Sequence, residues 1–318
     1  MRENHHVFEH LIARCRDLDP IAVAVAYPTD EVSLLGALEA AQQRLIVPVL
    51  VGPSSLMRAA AKSIGQDISA CRTVDADSAE AAAAEAVALC RTAECAALMK
   101  GSLHTDTLMH EVMKADTGLR GARRISHVFV MDVPNYSKLL LITDAAINIY
   151  PSLEEKADIV QNAIELAHVL GIEQPKVAIL SAVETVTTKI ASTIDAAALC
   201  KMAERGQIHG GVVDGPLAFD NAVSIRAARI KHIVSPVAGQ ADILVVPDLE
   251  SGNMLAKQLE YLAEAEAAGI VLGARVPIVL TSRADGAKAR LASCAVMSML
   301  VHARRKGEPA RGHGGGTE

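Results

Sequence analysis

The chain has 318 residues, of which 51% are hydrophobic and 21% charged, the balance of a globular protein long enough for two domains. Its net charge is −6, aromatic residues make up 2% and Trp is absent. A nucleic-acid reader needs a basic footprint and stacking rings, so composition argues against that class of partner.

Short β-rich runs alternate with amphipathic helices, the pattern of a mainly parallel α/β sheet. The opening MRENHHVFEHL has no continuous apolar core of the kind a signal peptide needs, and His5, His6 and His10 read as solvated rather than metal-binding. Residues 21–26 form the first strand, and residues 31–44 a helix with Leu34, Leu35, Leu38 and Ala41 on one face. A second strand over 47–51 is closed by Gly52-Pro53 and followed by a helix over 54–64. The Ala-rich stretch 78–91 has high helix propensity, and 96–99 follows as a strand. Two more strands, 125–131 and 138–144, are joined by Val133-Pro134-Asn135-Tyr136. That link is too short for a crossover, so the pair is expected to be antiparallel and to mark the handover between domains.

Ser152 and Glu155 form a capping box for the next helix, in which Leu153, Ala157, Val160, Ile164 and Ala167 share a face and which Gly171 ends. Residues 177–180, 211–213, 243–246 and 278–280 read as later strands, and residues 285 to about 301 as the last helix, before the Gly-rich tail RKGEPARGHGGGTE. The longest apolar runs, 21–26 and 138–142 among them, are too short to span a bilayer. Six cysteines at 15, 71, 90, 95, 200 and 294 show neither a CxxC pair nor zinc spacing. They predict free thiols in a reducing cytoplasm, without disulfides or a structural metal.

In open α/β sheets, ligands bind outside the carboxyl ends of strands, against helix N-termini. Four strand ends here are rich in polar groups. One leads into Lys100-Gly101-Ser102-Leu103-His104-Thr105, a second into Asp214-Gly215-Pro216, and a third into Pro247-Asp248 and Ser251-Gly252-Asn253. The fourth, Thr281-Ser282-Arg283-Ala284-Asp285, is the sharpest. Hydroxyls and free N–H groups at a helix start, beside the planar fork of an arginine, suit a phosphoryl oxygen. The same residues also read as a serine cap and a surface charge. Lys100 fits either an anion or a snorkelling role, and His104 a general base, a phosphate donor or a structural histidine. Arg120, Arg123 and Arg124 form a basic cluster, either a solvated face or a patch for an anionic cofactor. No P-loop, G-x-G-x-x-G or G-x-S-x-G is present, which argues against ATP, Rossmann-type dinucleotides and α/β-hydrolase chemistry.

With these residues in view, the chain resembles the phosphate acetyltransferases and phosphate butyryltransferases. The resemblance is carried by ALMKGSLHT, RRISHVFVMDVP, KLLLITDAAINIYPSLEEKADIVQNAIELA, VAILSAVETV, AALCKMAERGQIHGGVVDGPLAFDNAVS and the final IVSPVAGQADILVVPDLESGNML with GARVPIVLTSRAD. It runs from about residue 96 to 301, and the first third fits by pattern alone. It implies two three-layer α/β domains built like the isocitrate and isopropylmalate dehydrogenases, with an active cleft between them. Residues 1–136 with 275–318 would form one discontinuous domain, and 137–274 the other. It further implies a homodimer and a reversible reaction of acyl phosphate with coenzyme A by direct thiolate attack. Coenzyme A would be a substrate, with no metal and no permanently bound cofactor.

The resemblance gives Ser282 and Arg283 the phosphate and the transition state. Thr281, Lys100, His104, Arg120, Ser126 and Asp214 become candidates for further phosphate or coenzyme A contacts. Asp248 and Asn253 would line the other wall of the cleft. One departure concerns the base. Acetyl-type members carry an Asp seven residues after the Ser, where this chain has Ala289. The butyryl-type pattern S-R-A-D puts Asp285 on the first helical turn instead, as the thiol's base or as a partner of the helix dipole. Local similarity therefore leans towards the butyryl branch without settling the acyl chain. Other readings are a metal-dependent decarboxylating dehydrogenase drawing on Asp214, Asp220 and Asp248, transfer from acyl-carrier protein to phosphate, and a non-catalytic acyl-CoA or phosphate sensor. A sensor would have lost Ser282, Arg283 or Lys100, and all three are present.

Overall fold

The structure, a computed structural model, describes residues 7–280 and 286–307. In chain order these form α1 (Val7–Arg14), β1 (Ile21–Ala26), α2 (Glu31–Gln42), β2 (Ile46–Val51), α3 (Ser54–Ser63), β3 (Arg72–Val74), α4 (Ala79–Arg91), β4 (Ala97–Lys100) and α5 (Thr105–Val112). There follow β5 (Ser126–Asp132), β6 (Leu140–Thr143), α6 (Leu153–Val169), β7 (Lys176–Leu180), α7 (Ala191–Glu204), β8 (Val212–Leu217), α8 (Phe219–Val223), α9 (Ile225–Ile230), β9 (Ile243–Val245) and α10 (Leu249–Leu262). Last come β10 (Glu266–Leu272), β11 (Ile278–Val279) and α11 (Ala287–Arg305). The α/β class read from the sequence holds, with strands and helices alternating through both compact units. No helix among the described residues is long and apolar enough to cross a membrane.

One unit comprises His6–Ile125 together with Ala268–His302. Its strands lie in the order β3-β2-β1-β4-β11-β10, all parallel except for the β10–β11 pair. Strand β1, IAVAVA, shows no in–out alternation because it is covered on both faces, the normal state of a parallel strand. Asp30 and Ser78 start α2 and α4 by accepting the amides of Ser33 and Ala81. Helix α11 runs through the core of this unit, every residue from Ala292 to Val301 being buried. The Ser293 hydroxyl accepts the Gly269 amide at 3.0 Å, and the Cys15 thiol donates to the Ala295 carbonyl at 3.5 Å, so β10 and α1 are both tied to it.

The other unit is built from Ser126–Ala267, with strand order β5-β6-β9-β7-β8. Strands β5 and β6 are antiparallel, as their short link requires, and β6-β9-β7-β8 are parallel. The division expected after Tyr136 falls between β5 and β6. The compact unit takes in both, because the ladder from Val128 to Met131 joins them directly. The capping box is present as read: Glu155 accepts the Ser152 amide at 2.9 Å, and Ser152 accepts the Glu155 amide at 3.3 Å. One expectation is corrected. Strand β8 continues to Leu217, so Asp214-Gly215-Pro216 lies inside it rather than in a loop beyond it. Pro216 is accommodated because β8 is the last strand in the order, where a missing N–H breaks no inner ladder.

Candidate active site

In the first unit, the carboxyl ends of β1 and β4 lie side by side, with Ala26 paired to Lys100. The chain then turns at Tyr27, whose φ is 58°. The two loops interlock. Gly101 donates its amide to the Ala26 carbonyl and Ser102 its amide to the Tyr27 carbonyl, both at 2.9 Å. The Ser102 hydroxyl also donates to the Tyr27 carbonyl at 2.7 Å and lies 2.8 Å from the Thr29 hydroxyl. Only glycine fits at 101, since a Cβ there would stand 2.4 Å from the Ala26 oxygen.

The result is a fixed base for Lys100, which is 7% exposed and sets its Nζ 3.2 Å from the Gly101 carbonyl. A positive charge kept out of water acts strongly on any anion brought to it. Strand β11 runs parallel to β4 with Val279 opposite Met99, so Leu280 follows beside Lys100. The next residues, Thr281, Ser282, Arg283 and Asp285, lie outside the described residues. His104 is the N-cap residue of α5, exposed and without a side-chain cap bond. Arg120 is exposed, donates through Nε to the Met113 carbonyl at 2.5 Å, and pairs its backbone with Ala274.

In the second unit, the carboxyl ends of β6 and β9 are neighbours, with Thr143 opposite Val245. Asp144 follows β6 directly and is buried. Its Oδ1 accepts the amides of Ala146 and Ile147 at 2.9 and 3.1 Å. Its Oδ2 accepts the amide and the side-chain Nδ2 of Asn148 at 3.3 and 2.5 Å. Burial pushes this carboxyl upward, against the lowering effect of those donors and of the His127 backbone N–H.

Helix α10, which follows β9, begins against the same loop. Asp248 caps it by accepting the Ser251 amide at 2.8 Å, and the Leu249 amide donates to the Ile149 carbonyl at 3.0 Å. Asn253 donates through Nδ2 to the Ala145 carbonyl at 3.3 Å. Asp248 and Asn253, singled out from the sequence, are thus brought together with a loop that the sequence reading passed over.

The other candidates of this unit are placed elsewhere. Ser126 is fully buried, and its hydroxyl accepts the Asn162 amide at 2.9 Å, so it ties β5 to α6. The expected contact with phosphate or coenzyme A finds no open hydroxyl there. Asp214 sits mid-strand opposite Ala178, accepts the Gly215 amide at 2.9 Å, and stands two strands away from β9. Asp220 pairs with Lys231 at 3.4 Å and accepts the Asn221 amide. Asp214, Asp220 and Asp248 are therefore engaged separately. Among the described residues no group of three or more His, Cys, Asp or Glu is placed to hold a metal ion.

His127, also passed over, lies buried on β5 with its ring edge-on to Phe129 at 4.4 Å. Burial, with Lys257 nearby, pushes its pKa down to about 3, so the imidazole is neutral at physiological pH.

The family described as Phosphate acetyl/butaryl transferase matches residues 80–298. A phosphate acetyltransferase from Rhizobium meliloti is 62% identical over 303 residues, 95% of this chain and 96% of that protein. A phosphate butyryltransferase from Clostridium beijerinckii is 40% identical over 299 residues, covering 94% and 99% of the two chains. A branched-chain phosphotransacylase from Enterococcus faecalis V583 superposes with a TM-score of 0.76 at 31% identity, covering 89% of this chain and 99% of that one. The first third of the chain, matched only by pattern in the sequence reading, is included in these similarities. Identity over the whole length is higher with the acetyltransferase, although the S-R-A-D stretch taken alone leans the other way.

Proposed function

We infer the mechanism from one premise, that this chain belongs to the phosphate acetyl/butyryl transferase family. It is an acyltransferase that moves an acyl group reversibly between coenzyme A and phosphate. In the direction of acyl-CoA, the coenzyme A thiolate attacks the acyl carbon. A C–S bond forms, the carbonyl oxygen takes up negative charge, and the C–O bond to phosphate then breaks as phosphate leaves with the electron pair. A free thiol has a pKa of about 8.5, so a base or a positive field must favour the thiolate. The developing oxyanion needs donors aimed at it.

The observation that carries the assignment is Lys100, a buried cation at the paired ends of β4 and β11, beside the point where the chain enters Thr281-Ser282-Arg283. We assign the phosphoryl group to Lys100, Thr281, Ser282 and Arg283, with Ser282 and Arg283 also stabilising the transition state. His104, exposed at the start of α5, and Arg120 remain our candidates for outer phosphate or coenzyme A contacts. At the start of α10, Asn253 is our candidate for a substrate contact and Asp248 its helix cap. The thiol's base is assigned to Asp285. If so, Asp285→Asn removes the rise in kcat with pH that ionisation of a base produces. A profile unchanged from the parent would leave Asp285 as a residue of the helix start.

For the acyl group we favour acetyl, supported by 62% identity to an acetyltransferase against 40% to a butyryltransferase. The test is acyl-CoA formation from coenzyme A with acetyl, propionyl and butyryl phosphate, without added metal. Acetyl phosphate should give the highest kcat/KM. A higher value for butyryl phosphate would reverse the assignment, and no turnover from folded protein that binds coenzyme A would favour a sensor. We place the enzyme in the cytoplasm, where coenzyme A is at hand and its six free cysteines stay reduced. A homodimer is the assembly we infer, supported by exposed apolar side chains such as Tyr261 and Leu262 at the end of α10.

A further inference from the structure

Loop 144–149 bears the whole first turn of α10, and the buried carboxylate of Asp144 is what shapes that loop. Donors converge on Asp144 from Ala146, Ile147 and twice from Asn148, joined by the His127 backbone N–H. On the opposite side the Thr143 hydroxyl donates to the His127 carbonyl at 2.8 Å, which pins the loop's origin to β5. The loop then holds α10 at three points. The Leu249 amide donates to the Ile149 carbonyl, and Asn253 Nδ2 donates to the Ala145 carbonyl. Gly252 lies so close that a Cβ on it would stand 3.0 Å from the Asp144 carbonyl oxygen and 2.7 Å from Val246.

Asn253 is exposed at this turn, and its amide orientation is set by the Ala145 carbonyl, which takes the NH₂ end. That leaves Oδ1, which makes no hydrogen bond among the described residues, as a fixed acceptor for an N–H or O–H of a substrate. Coenzyme A, with its amide N–H groups and hydroxyls, supplies such donors.

We propose that Asp144 is a positioning residue for acyl transfer: it shapes the 144–149 loop, and the loop's Ala145 carbonyl aims the Asn253 side chain at the substrate. The inference rests on the reading of Asn253 as a substrate contact. Asp144 itself touches no substrate. Replacing it by Asn keeps the shape but turns an acceptor into an NH₂ group facing other donors, so the loop must open and the Ala145 carbonyl must shift.

The test is a double-mutant cycle of the full-length enzyme with Asp144→Asn, Asn253→Ala and the pair, reading kcat and the KM values for coenzyme A and acetyl phosphate. Thermal unfolding of each protein checks that it is folded. Asn253→Ala should lower kcat/KM about tenfold, the worth of one hydrogen bond. Asp144→Asn should change the same kinetic parameter by a similar factor, and the double variant should be no worse than the poorer single one. Factors that multiply would mean that Asp144 does not act through Asn253, and would overturn the inference. So would parent kinetics in Asp144→Asn alongside a slowed Asn253→Ala, a result that leaves the Asn253 reading standing. Parent kinetics in Asn253→Ala would instead sink the substrate-contact reading and the inference with it. Should Asp144→Asn fail to fold, Asn148→Ala, which removes the side-chain donor to Asp144 Oδ2 and keeps the backbone one, takes its place in the same cycle.

Discussion

Arg283→Ala is expected to lower kcat by about a hundredfold or more, the scale of losing one transition-state donor from a preorganised site. The reason lies in where charge moves. In the ground state the negative charge of acyl phosphate rests on the phosphoryl oxygens. In the transition state part of it has moved to the acyl oxygen and part to the departing phosphate. A guanidinium is permanently charged and presents parallel donors, so it can serve both positions at once. Its loss should therefore fall mainly on kcat, with a smaller change in the KM for acyl phosphate. Arg283→Lys should recover only part of the rate, because an ammonium supplies a point charge and not a fork. Steady-state kinetics of both variants decide the matter, and a parent rate in Arg283→Ala would remove Arg283 from the mechanism.

Gly101→Ala should be the most damaging single methyl group that can be added near Lys100. The new Cβ would stand 2.4 Å from the Ala26 oxygen, 2.6 Å from the Tyr27 oxygen and 2.7 Å from the Tyr27 carbonyl carbon. All three are backbone atoms, so no side chain can swing aside to make room. Relief requires the ends of β1 and β4 to part, which breaks the bonds from Gly101 to Ala26 and from Ser102 to Tyr27. Overpacking of this kind costs about 3 kcal/mol. For a unit of this size that lowers the melting temperature by on the order of 10 °C. Lys100 moves with its strand, so the KM for acyl phosphate should rise in whatever protein remains folded at assay temperature. Melting and kinetics at the parent's values would show that the strand ends are not held fixed, and would weaken the placement of Lys100.

Much of the fold was legible because its signals are local. The apolar runs of β1 and β9, the turn that forces β5 against β6, and the Ser152–Glu155 cap each declare themselves within a few residues. Four elements did not. Helices α1 and α5 have eight residues each and β3 has three, too short for periodicity to register. Strand β10, EAAGIVL, begins with Glu and Ala, residues that favour helix, and only tertiary pairing overrides that propensity.

Site residues divided the same way. Asp248 was readable as a cap because its partner is three positions on. Ser126 was not readable as buried, since its partner Asn162 is 36 residues distant. In the sequence, 138–144 reads as a strand with Asp144 as its last residue. The signal available was an Asp followed by small residues and then Asn148, the composition of a side chain that gathers the backbone amides after it. The four residues S-R-A-D lean towards butyryl, whereas identity over some three hundred residues is higher with the acetyltransferase.

The unit that begins at His6 is not completed until Ala268–His302 has been added. As the nascent chain leaves the ribosome, strand β4 has β1 on one side and nothing on the other, because its second neighbour, β11, has not yet been made. Translation of the intervening stretch imposes a wait on the order of ten seconds or more, during which an apolar strand edge is open to other chains. The uninterrupted stretch Ser126–Ala267 carries no such delay and can close as it emerges. A segment made late, Ala268–His302, therefore finishes the unit that His6–Ile125 begins. A premature stop within α11 should be felt as misfolding near the N-terminus, far away in sequence from the lesion.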